Sequence, residues 1–408
     1  MNDEQVAGAA SVGASGSAHS HQTPPVFTPP PGNPRFPLFD GLRALAAVTI
    51  LVYHAASLSG YVQFGRLGAW ATNLNFGVTI FFVISGFLLY RPYVRARLAE
   101  VDGPSLGRFY RRRLLRIIPA YWVALTLLSL YPGSPATFAD WPRYYLFLQV
   151  YTPSPPREGL FQAWSLCVEM SFYLLLPLYA ALMDRWFRSR SASVRLWLEI
   201  ALLGVLSVAS GFATYAWSSG ATSPLLQGLP RFMFWFALGM GLAIASAWVA
   251  QQEQSPRWVT ALKNRAWRSW ALALVLFVAL GALTQVPADG ISFAPGNALL
   301  QWALGGLIAL LVVLPAVFSG CSRNAGARIL RWRPVVWLGL ISYGLFLWQA
   351  GPLLVIFDQE WISSGRWAVR FAEFAVLAIV MTIPLAALSY YLVERPFLRL
   401  KDPRRRSA

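Results

Sequence analysis

The chain has few of the charged residues that a soluble protein places on its surface. Charged side chains make up 12% of its 408 residues, whereas a soluble globular protein carries about 25%. Hydrophobic residues make up 56% of the chain. This scarcity of charge excludes an ordinary soluble domain.

Cysteine, lysine and histidine are also scarce. The two cysteines, Cys167 in an apolar block and Cys321 in a basic loop, provide no disulfide framework. Only two of the 34 basic residues are lysines, Lys263 and Lys401. Two of the three histidines lie near the N-terminus, so His54 is the only histidine of the apolar region. We expect no metal site and no resident cofactor.

Apolar blocks of roughly 20 residues alternate with basic segments, and each block is long enough to cross a hydrocarbon core of ~30 Å as a helix. The pattern predicts an all-α polytopic membrane protein with about ten transmembrane helices. The blocks lie at 38–59, 73–91, 109–131, 163–183, 195–217, 230–250, 268–285, 298–318, 334–357 and 367–393. A further apolar stretch, 141–151, is short and contains Pro142, so it can cross or be re-entrant or interfacial.

Positive charge decides between ten and eleven spans. If 141–151 does not cross, five segments on one side of the membrane carry 26 of the 34 basic residues. These segments are 91–116, 184–195, 251–268, 319–333 and the chain from 394. Three loops on the other side, 60–72, 217–229 and 285–297, contain only one basic residue between them, Arg66. Because basic loops stay in the cytoplasm, we predict ten spans with both termini cytoplasmic, and the net charge of +17 gives no reason to expect a nucleic-acid partner.

The chain divides into three predicted parts. Residues 1–34 are rich in Gly, Ala, Ser and Pro, a composition typical of a disordered tail. This segment lacks the basic and apolar regions of a cleavable signal peptide. Residues 35–400 form the ten-span domain, and residues 401–408 form a basic cytoplasmic tail. We therefore expect a multi-pass protein that is integral to the cell membrane and surrounded by the lipid bilayer.

Two ionisable residues of the first predicted span share one helix face. Arg43 and His54 are eleven residues apart, which is about three helical turns and ~16 Å along the axis. Such a face can hold both ends of an elongated ligand. The alternative is an interfacial arginine that snorkels to the membrane surface and a packed, hydrogen-bonded histidine.

The glutamates of the apolar blocks are of two kinds. Glu199 and Glu373 lie near predicted span ends and are expected at the membrane interface. Glu169 lies deep and shares a helix face with Ser165, four residues before it. The predicted topology puts Glu169 ~9 Å and His54 ~8 Å below the same membrane surface. If the two meet, the carboxylate would orient the imidazole ring and stabilise its protonated form; a purely structural hydrogen bond is the alternative.

The third predicted span begins with more arginine than its orientation in the membrane requires. Five arginines occur within nine positions: Arg108, Arg111, Arg112, Arg113 and Arg116. Arg113 and Arg116 share a face near the membrane and could bind phosphate groups through bidentate contacts. Lipid headgroups are an alternative ligand for the same arginines.

Six segments in this order resemble the acyltransferase-3 family of membrane O-acyltransferases. They are FDGLRALAAVTILVYH, FFVISGFLLYRPYVRARL, RFYRRRLLRIIPAYW, AWSLCVEMSFYLLLP, ISYGLFLWQAGPLL and YYLVERPFLRL, and the resemblance covers about residues 36 to 400. It implies transfer of an acyl group, often acetyl, from cytoplasmic acyl-CoA to a hydroxyl of a sugar, glycan or small natural product. It also implies a bacterial inner or plasma membrane.

The resemblance also implies roles for residues already singled out. The family's motifs fall on Arg43, His54, Arg113, Arg116, Ser165 and Glu169. The three arginines would bind acyl-CoA, His54 and Glu169 would be catalytic, and Ser165 would bind the acceptor substrate or help to position Glu169. The chain departs from the family at Gln349, where many members have a histidine after Leu-Trp, so His54 carries more weight as the general base.

A transporter or flippase of a saccharide or a lipid-linked intermediate is the alternative function, because such proteins also use about ten spans and buried ionisable residues. Two features favour the enzyme. The second half of the chain has no counterpart of the His54 or Glu169 segments, as an inverted repeat would supply. The arginine cluster also suits a phosphate-rich donor.

Overall fold

The structure is a computed structural model that describes residues 36–133, 141–152, 160–187, 189–287, 293–318, 324–359, 362 and 365–401. Within these ranges every regular element is a helix and none is a strand, which confirms the predicted all-α class. The predicted tail 1–34 and Cys321 lie outside the described residues. Of the predicted basic tail, only Lys401 is described.

Ten segments of the described chain are suited to cross a membrane. Nine are single helices, and the tenth is a helix pair bent by 57°. The single helices are α1 (Phe39–Leu58), α2 (Phe76–Leu98), α3 (Leu106–Leu128), α4 (Trp164–Phe187), α5 (Ala192–Ser218), α6 (Leu229–Val249), α7 (Ala266–Leu283), α8 (Pro295–Phe318) and α10 (Trp367–Ser389). The bent pair, α9, has Arg333–Leu340 as its first arm. Its second arm, after the bend, comprises Ser342–Trp348 and Ala350–Asp358. All ten coincide with the predicted apolar blocks.

Short helices connect these spans. Those outside 141–151 are Tyr61–Phe64, Gly68–Asn73, Ser129–Gly133, Phe161–Ala163, Pro224–Gln227, Arg257–Asn264, Ala325–Leu330, Tyr390–Glu394 and Arg395–Arg399. The segment 141–151 forms a five-residue helix and one 3₁₀ turn, far short of a span. It packs along α3, where the Tyr121 hydroxyl donates to the Tyr144 carbonyl over 2.9 Å. The structure therefore agrees with ten spans rather than eleven.

Helices α2 and α6 cross with their backbones in contact. A Cβ atom at Gly86 would collide with the backbone carbonyl of Phe236, and a Cβ atom at Gly239 would collide with the backbone carbonyl of Val83. Small residues allow this close approach, which is how membrane helices gain packing energy without a hydrophobic driving force. Gly86 therefore accommodates a neighbouring helix.

An ion-pair cluster joins α2, α4 and α5. The Arg97 guanidinium lies 2.7 Å from the Asp184 carboxylate and 2.9 Å from the Glu199 carboxylate. The Glu199 side chain is 0% exposed and that of Arg97 is 7% exposed. A charged partner from another helix allows the Glu199 carboxylate to be buried inside the protein, and its position at the membrane interface stays a prediction.

Candidate active site

One cleft contains most of the residues that the sequence singled out. It lies between α1, α2, α3, α4 and α9 and encloses about 750 Å³ of empty space, part of it open to solvent. Five of the six predicted site residues line it: Arg43, Arg113, Arg116, Ser165 and Glu169. His54 is not among the lining residues. Because the five come from three separate helices, tertiary packing assembles the cleft.

The first helix carries the two residues predicted to hold opposite ends of a ligand. Arg43 lies near the start of α1, 3.9 Å from the Asp40 carboxylate, and its side chain is 19% exposed. His54 lies eleven residues further along the same unbroken helix. The separation of ~16 Å that the helix period predicts therefore holds in the structure.

Three guanidinium groups crowd one end of the cleft. Arg113 and Arg116 of α3 both repel Arg43 of α1, and they also repel each other. Like charges in a partly enclosed site raise the free energy of the empty protein, and a ligand with several negative charges relieves this repulsion. The planar guanidinium groups also match the geometry of phosphate oxygens. This end of the cleft can therefore bind a polyanion.

Glu169 belongs to a hydrogen-bond network at the arginine end of the cleft. Its Oε1 atom accepts a hydrogen bond from the Ser85 hydroxyl over 2.6 Å and another from the Tyr173 hydroxyl over 2.5 Å. The Arg113 guanidinium lies 5.9 Å from the centroid of the Tyr173 ring and interacts electrostatically with Glu169. Sequence reasoning missed Tyr173, although its spacing of four residues from Glu169 was a usable signal. No spacing or motif in the sequence indicated that Ser85 belongs to the site.

Gln349 is the hydrogen-bond partner of His54. The Nδ1 atom of His54 lies 3.0 Å from Oε1 of Gln349, and Nε2 of Gln349 donates to the Phe346 carbonyl over 3.0 Å. A flipped amide would place Oε1 against the Phe346 carbonyl oxygen, so the amide oxygen faces the ring, and the contact is a hydrogen bond when Nδ1 carries the proton. The other ring nitrogen, Nε2, then has the lone pair of a base. Gln349 is fully buried, so its position is well fixed.

The contact between His54 and Glu169, expected from their similar depth, does not occur among the described residues. His54 is bonded to α9, whereas Glu169 is bonded to Ser85 of α2 and to Tyr173 of its own helix. Depth along two helices does not determine the direction in which each side chain points. The side chain that is hydrogen-bonded to the ring is that of Gln349, the residue at which the chain departs from the family pattern.

The cleft and the histidine are joined through α9. Phe346 lines the cleft, and its carbonyl accepts hydrogen bonds from Gln349 and from Gln162 over 3.0 and 3.2 Å. Ser165 also lines the cleft and donates to the Gln162 carbonyl over 3.3 Å. The deep end of the cleft therefore adjoins the pair formed by His54 and Gln349.

The described ranges contain no group of three or more His, Cys, Asp or Glu side chains placed to hold a metal ion. The cleft and the residues beside it offer guanidinium groups, hydroxyls, one glutamate and one histidine. The arginines can bind anions, and the histidine can move a proton.

Comparison with known proteins identifies relatives along most of the chain. A family model described as an acyltransferase domain matches residues 37–391. YrhL of Bacillus subtilis, named as a provisional peptidoglycan O-acetyltransferase, is 28% identical over 88% of this chain and 54% of its own length. The peptidoglycan O-acetyltransferase OatA of Listeria monocytogenes is 27% identical over 88% of this chain and 55% of its own.

The O-acetyltransferase OatA of Staphylococcus aureus is 26% identical over 89% of this chain and 57% of its own. The chain thus spans about half the length of the curated relatives it matches. No solved structure matches.

Proposed function

The chain belongs to the acyltransferase 3 family, and on this basis we propose that it transfers an acetyl or similar acyl group from cytoplasmic acyl-CoA to a hydroxyl of a glycan. The observation that carries the proposal is the cleft, which has an anion-binding end and adjoins a histidine at its other end. A reaction between a phosphate-rich thioester and a hydroxyl needs both features.

The arginine end suits the phosphate groups of the donor. Arg43, Arg113 and Arg116 converge from two helices, and bidentate arginine contacts with phosphate are both strong and directional. The pantetheine arm would extend from there toward His54, over the ~16 Å that separate Arg43 from His54 along α1. The basic loops favour a cytoplasmic position for the arginine end, the side on which acyl-CoA is available.

His54 is proposed to act as the general base. Its Nε2 atom would accept the proton of the acceptor hydroxyl while the oxygen attacks the thioester carbonyl. When the tetrahedral intermediate collapses, the carbon–sulfur bond breaks, and the leaving thiolate takes the proton from the imidazolium. General-base catalysis of this kind contributes typically 10²- to 10⁴-fold. Gln349 would hold the ring in the tautomer that keeps Nε2 free.

Glu169 is proposed to act at the donor end of the cleft, and Ser165 is proposed to act where the acceptor substrate binds. The bonds that Glu169 makes with Ser85 and Tyr173 support a role in positioning Arg113 at the donor end. Ser165 lines the cleft near its deep end, and we expect its hydroxyl to contact the acceptor substrate.

The relatives suggest the class of acceptor. Those from Listeria and Bacillus are named as peptidoglycan O-acetyltransferases, and a cell-wall glycan lies outside the cytoplasmic membrane. With the donor bound at the cytoplasmic end of α1 and His54 near the other end, the acyl group would cross much of the membrane within the protein.

The proposal is tested with the purified full chain in lipid nanodiscs. We expect acetyl-CoA to raise the unfolding temperature, and labelled acetyl groups to appear on peptidoglycan fragments with release of one CoA thiol per transfer. His54→Ala should lose at least about 100-fold in transfer and keep the donor-induced stabilisation. Lys263→Gln, a change in the short helix Arg257–Asn264, is the control and should match the wild type. A wild-type protein that neither is stabilised by acetyl-CoA nor releases thiol would favour a transporter.

A further inference from the structure

The segment that follows α10 returns to the arginine end of α3. It continues as a π-helical turn, Tyr390–Glu394, and a short helix, Arg395–Arg399, both packed against α3. The guanidinium group of Arg111 donates a hydrogen bond to the Leu400 carbonyl over 2.9 Å. This bond fixes the backbone immediately before Lys401.

Lys401 is surrounded by positive charge. The side chains that act on it electrostatically are four arginines, namely Arg43 of α1 and Arg112, Arg113 and Arg116 of α3. Its backbone N–H donates to Leu398, but no described residue provides a hydrogen-bond acceptor for its ammonium group. The residue is half-buried.

The carboxylates on the packed elements act on the arginines. Asp40 faces Arg43, Glu169 faces Arg113 and Glu394 faces Arg116. None of the three is among the groups that act on Lys401. The next residue, Asp402, lies outside the described residues. Lys401 is therefore a cation that no carboxylate of the described chain neutralises.

We propose that Lys401 is a further donor-binding residue, which contacts a phosphate group of acyl-CoA at the arginine end of the cleft and takes up a proton when the donor binds. The proposal rests on the proposed function, since it assumes an acyl-CoA donor. The bond between Arg111 and the Leu400 carbonyl holds Lys401 beside the first turns of α3. Three of the four arginines that act on Lys401 electrostatically line the cleft, so we expect its side chain to reach a phosphate held there.

Proton uptake follows from the surroundings of the ammonium group. Burial, together with repulsion from the four guanidinium groups, lowers the pKa of Lys401 to about 7. A bound phosphate supplies opposite charge and raises this pKa again. The charged form therefore predominates in the free protein below pH 7 and is lost as the pH rises above 7, while the complex keeps the proton. If only charged Lys401 binds the phosphate, affinity falls about fivefold between pH 7 and pH 8.

The test compares Lys401→Met and Lys401→Arg with the wild type, using coenzyme A itself as the probe. Dissociation constants are measured by calorimetry in nanodiscs at pH 6, 7 and 8, and the ratio of variant to wild type cancels the titration of coenzyme A. We expect Lys401→Met to bind about 10-fold more weakly than the wild type at pH 6, with a ratio that shrinks toward pH 8. Lys401→Arg should bind well at all three values, because arginine stays charged.

The chain's other lysine supplies the control. Lys263→Met should leave the dissociation constant unchanged at every pH. A wild type that does not bind coenzyme A refutes the proposed function itself. A wild type that binds, with a Lys401→Met ratio of one or a ratio that does not change with pH, overturns only the role of Lys401.

Lipid composition separates the donor from a headgroup as the source of phosphate. The measurements are repeated in nanodiscs of phosphatidylcholine alone and in nanodiscs that contain phosphatidylglycerol. An effect of Lys401→Met on coenzyme A binding in pure phosphatidylcholine supports the proposal. If the variant loses only retention of phosphatidylglycerol and binds coenzyme A normally, Lys401 is a lipid-binding residue and the proposal is wrong.

Discussion

Replacing Gln349 with leucine tests whether the amide orients the catalytic ring. The substitution keeps a buried side chain of similar size and removes the only hydrogen-bond acceptor that the described chain gives to Nδ1 of His54, at 3.0 Å. It also removes the bond from Gln349 to the Phe346 carbonyl. The arginine end of the cleft is not touched, so donor binding should be unchanged.

The size of the effect follows from what the bond contributes. A buried hydrogen bond of this kind contributes about 0.5 to 1.5 kcal/mol, and an N–H left without a partner costs about 1 to 3 kcal/mol. The ring would then rotate or change tautomer for much of the time, so that Nε2 is not available as a base. We expect kcat to fall about 10- to 100-fold, as is found when the partner that orients a functional histidine is removed.

A double-mutant cycle gives the decisive measurement. Transfer from labelled acetyl-CoA is followed in nanodiscs for Gln349→Leu, His54→Ala and the double variant, with coenzyme A binding as the control for folding. If Gln349 acts only through His54, the double variant should be no slower than His54→Ala. Losses that add, or a Gln349→Leu variant with a wild-type kcat, would refute the role of Gln349.

Three further predictions concern binding and stability. Arg113→Gln should raise KM for acetyl-CoA about 10-fold with little change in kcat in steady-state assays; a kcat effect alone would contradict phosphate binding. Arg97→Met should lower the free energy of unfolding by about 3 to 5 kcal/mol because Glu199 stays buried without a partner, and adding Glu199→Leu should restore most of it in thermal melts. Gly239→Ala, whose new methyl group would meet the backbone of α2, should lower the free energy of unfolding by about 1 to 3 kcal/mol. Gly241→Ala, with open space around it, should leave the free energy of unfolding unchanged. Equal melting temperatures of the two variants would contradict the close crossing of α2 and α6.

The course of the chain through the membrane was predictable because bilayer thickness and loop charge act along the sequence. Each of the ten apolar blocks corresponds to a described span, and basic residues correctly argued against a span at 141–151. The separation of Arg43 and His54 was predictable for the same reason, since the helix period fixes it. These properties depend on one segment at a time.

The partners of the buried polar residues were not predictable, because they depend on how each helix is rotated against its neighbours. Equal depth suggested that Glu169 meets His54, but rotation points the carboxylate toward Ser85 and the ring toward Gln349. The burial of Glu199 was not predictable for a related reason, since its arginine partner lies in another helix. Sequence position gives depth, whereas pairing requires the three-dimensional arrangement.

The neutral partner of His54 bears on how the proposed reaction ends. A carboxylate bonded to Nδ1 would stabilise the imidazolium and so hold the proton on the ring, at the added cost of burying another charge in a low-dielectric site. An amide fixes the same tautomer without that charge. If His54 is the base, the imidazolium formed during attack would then be less stable and would pass its proton readily to the departing thiolate. Placing Glu169 with Arg113 and giving His54 a glutamine would thus separate donor positioning from proton transfer, and proton return to the sulfur would be the step that Gln349 favours.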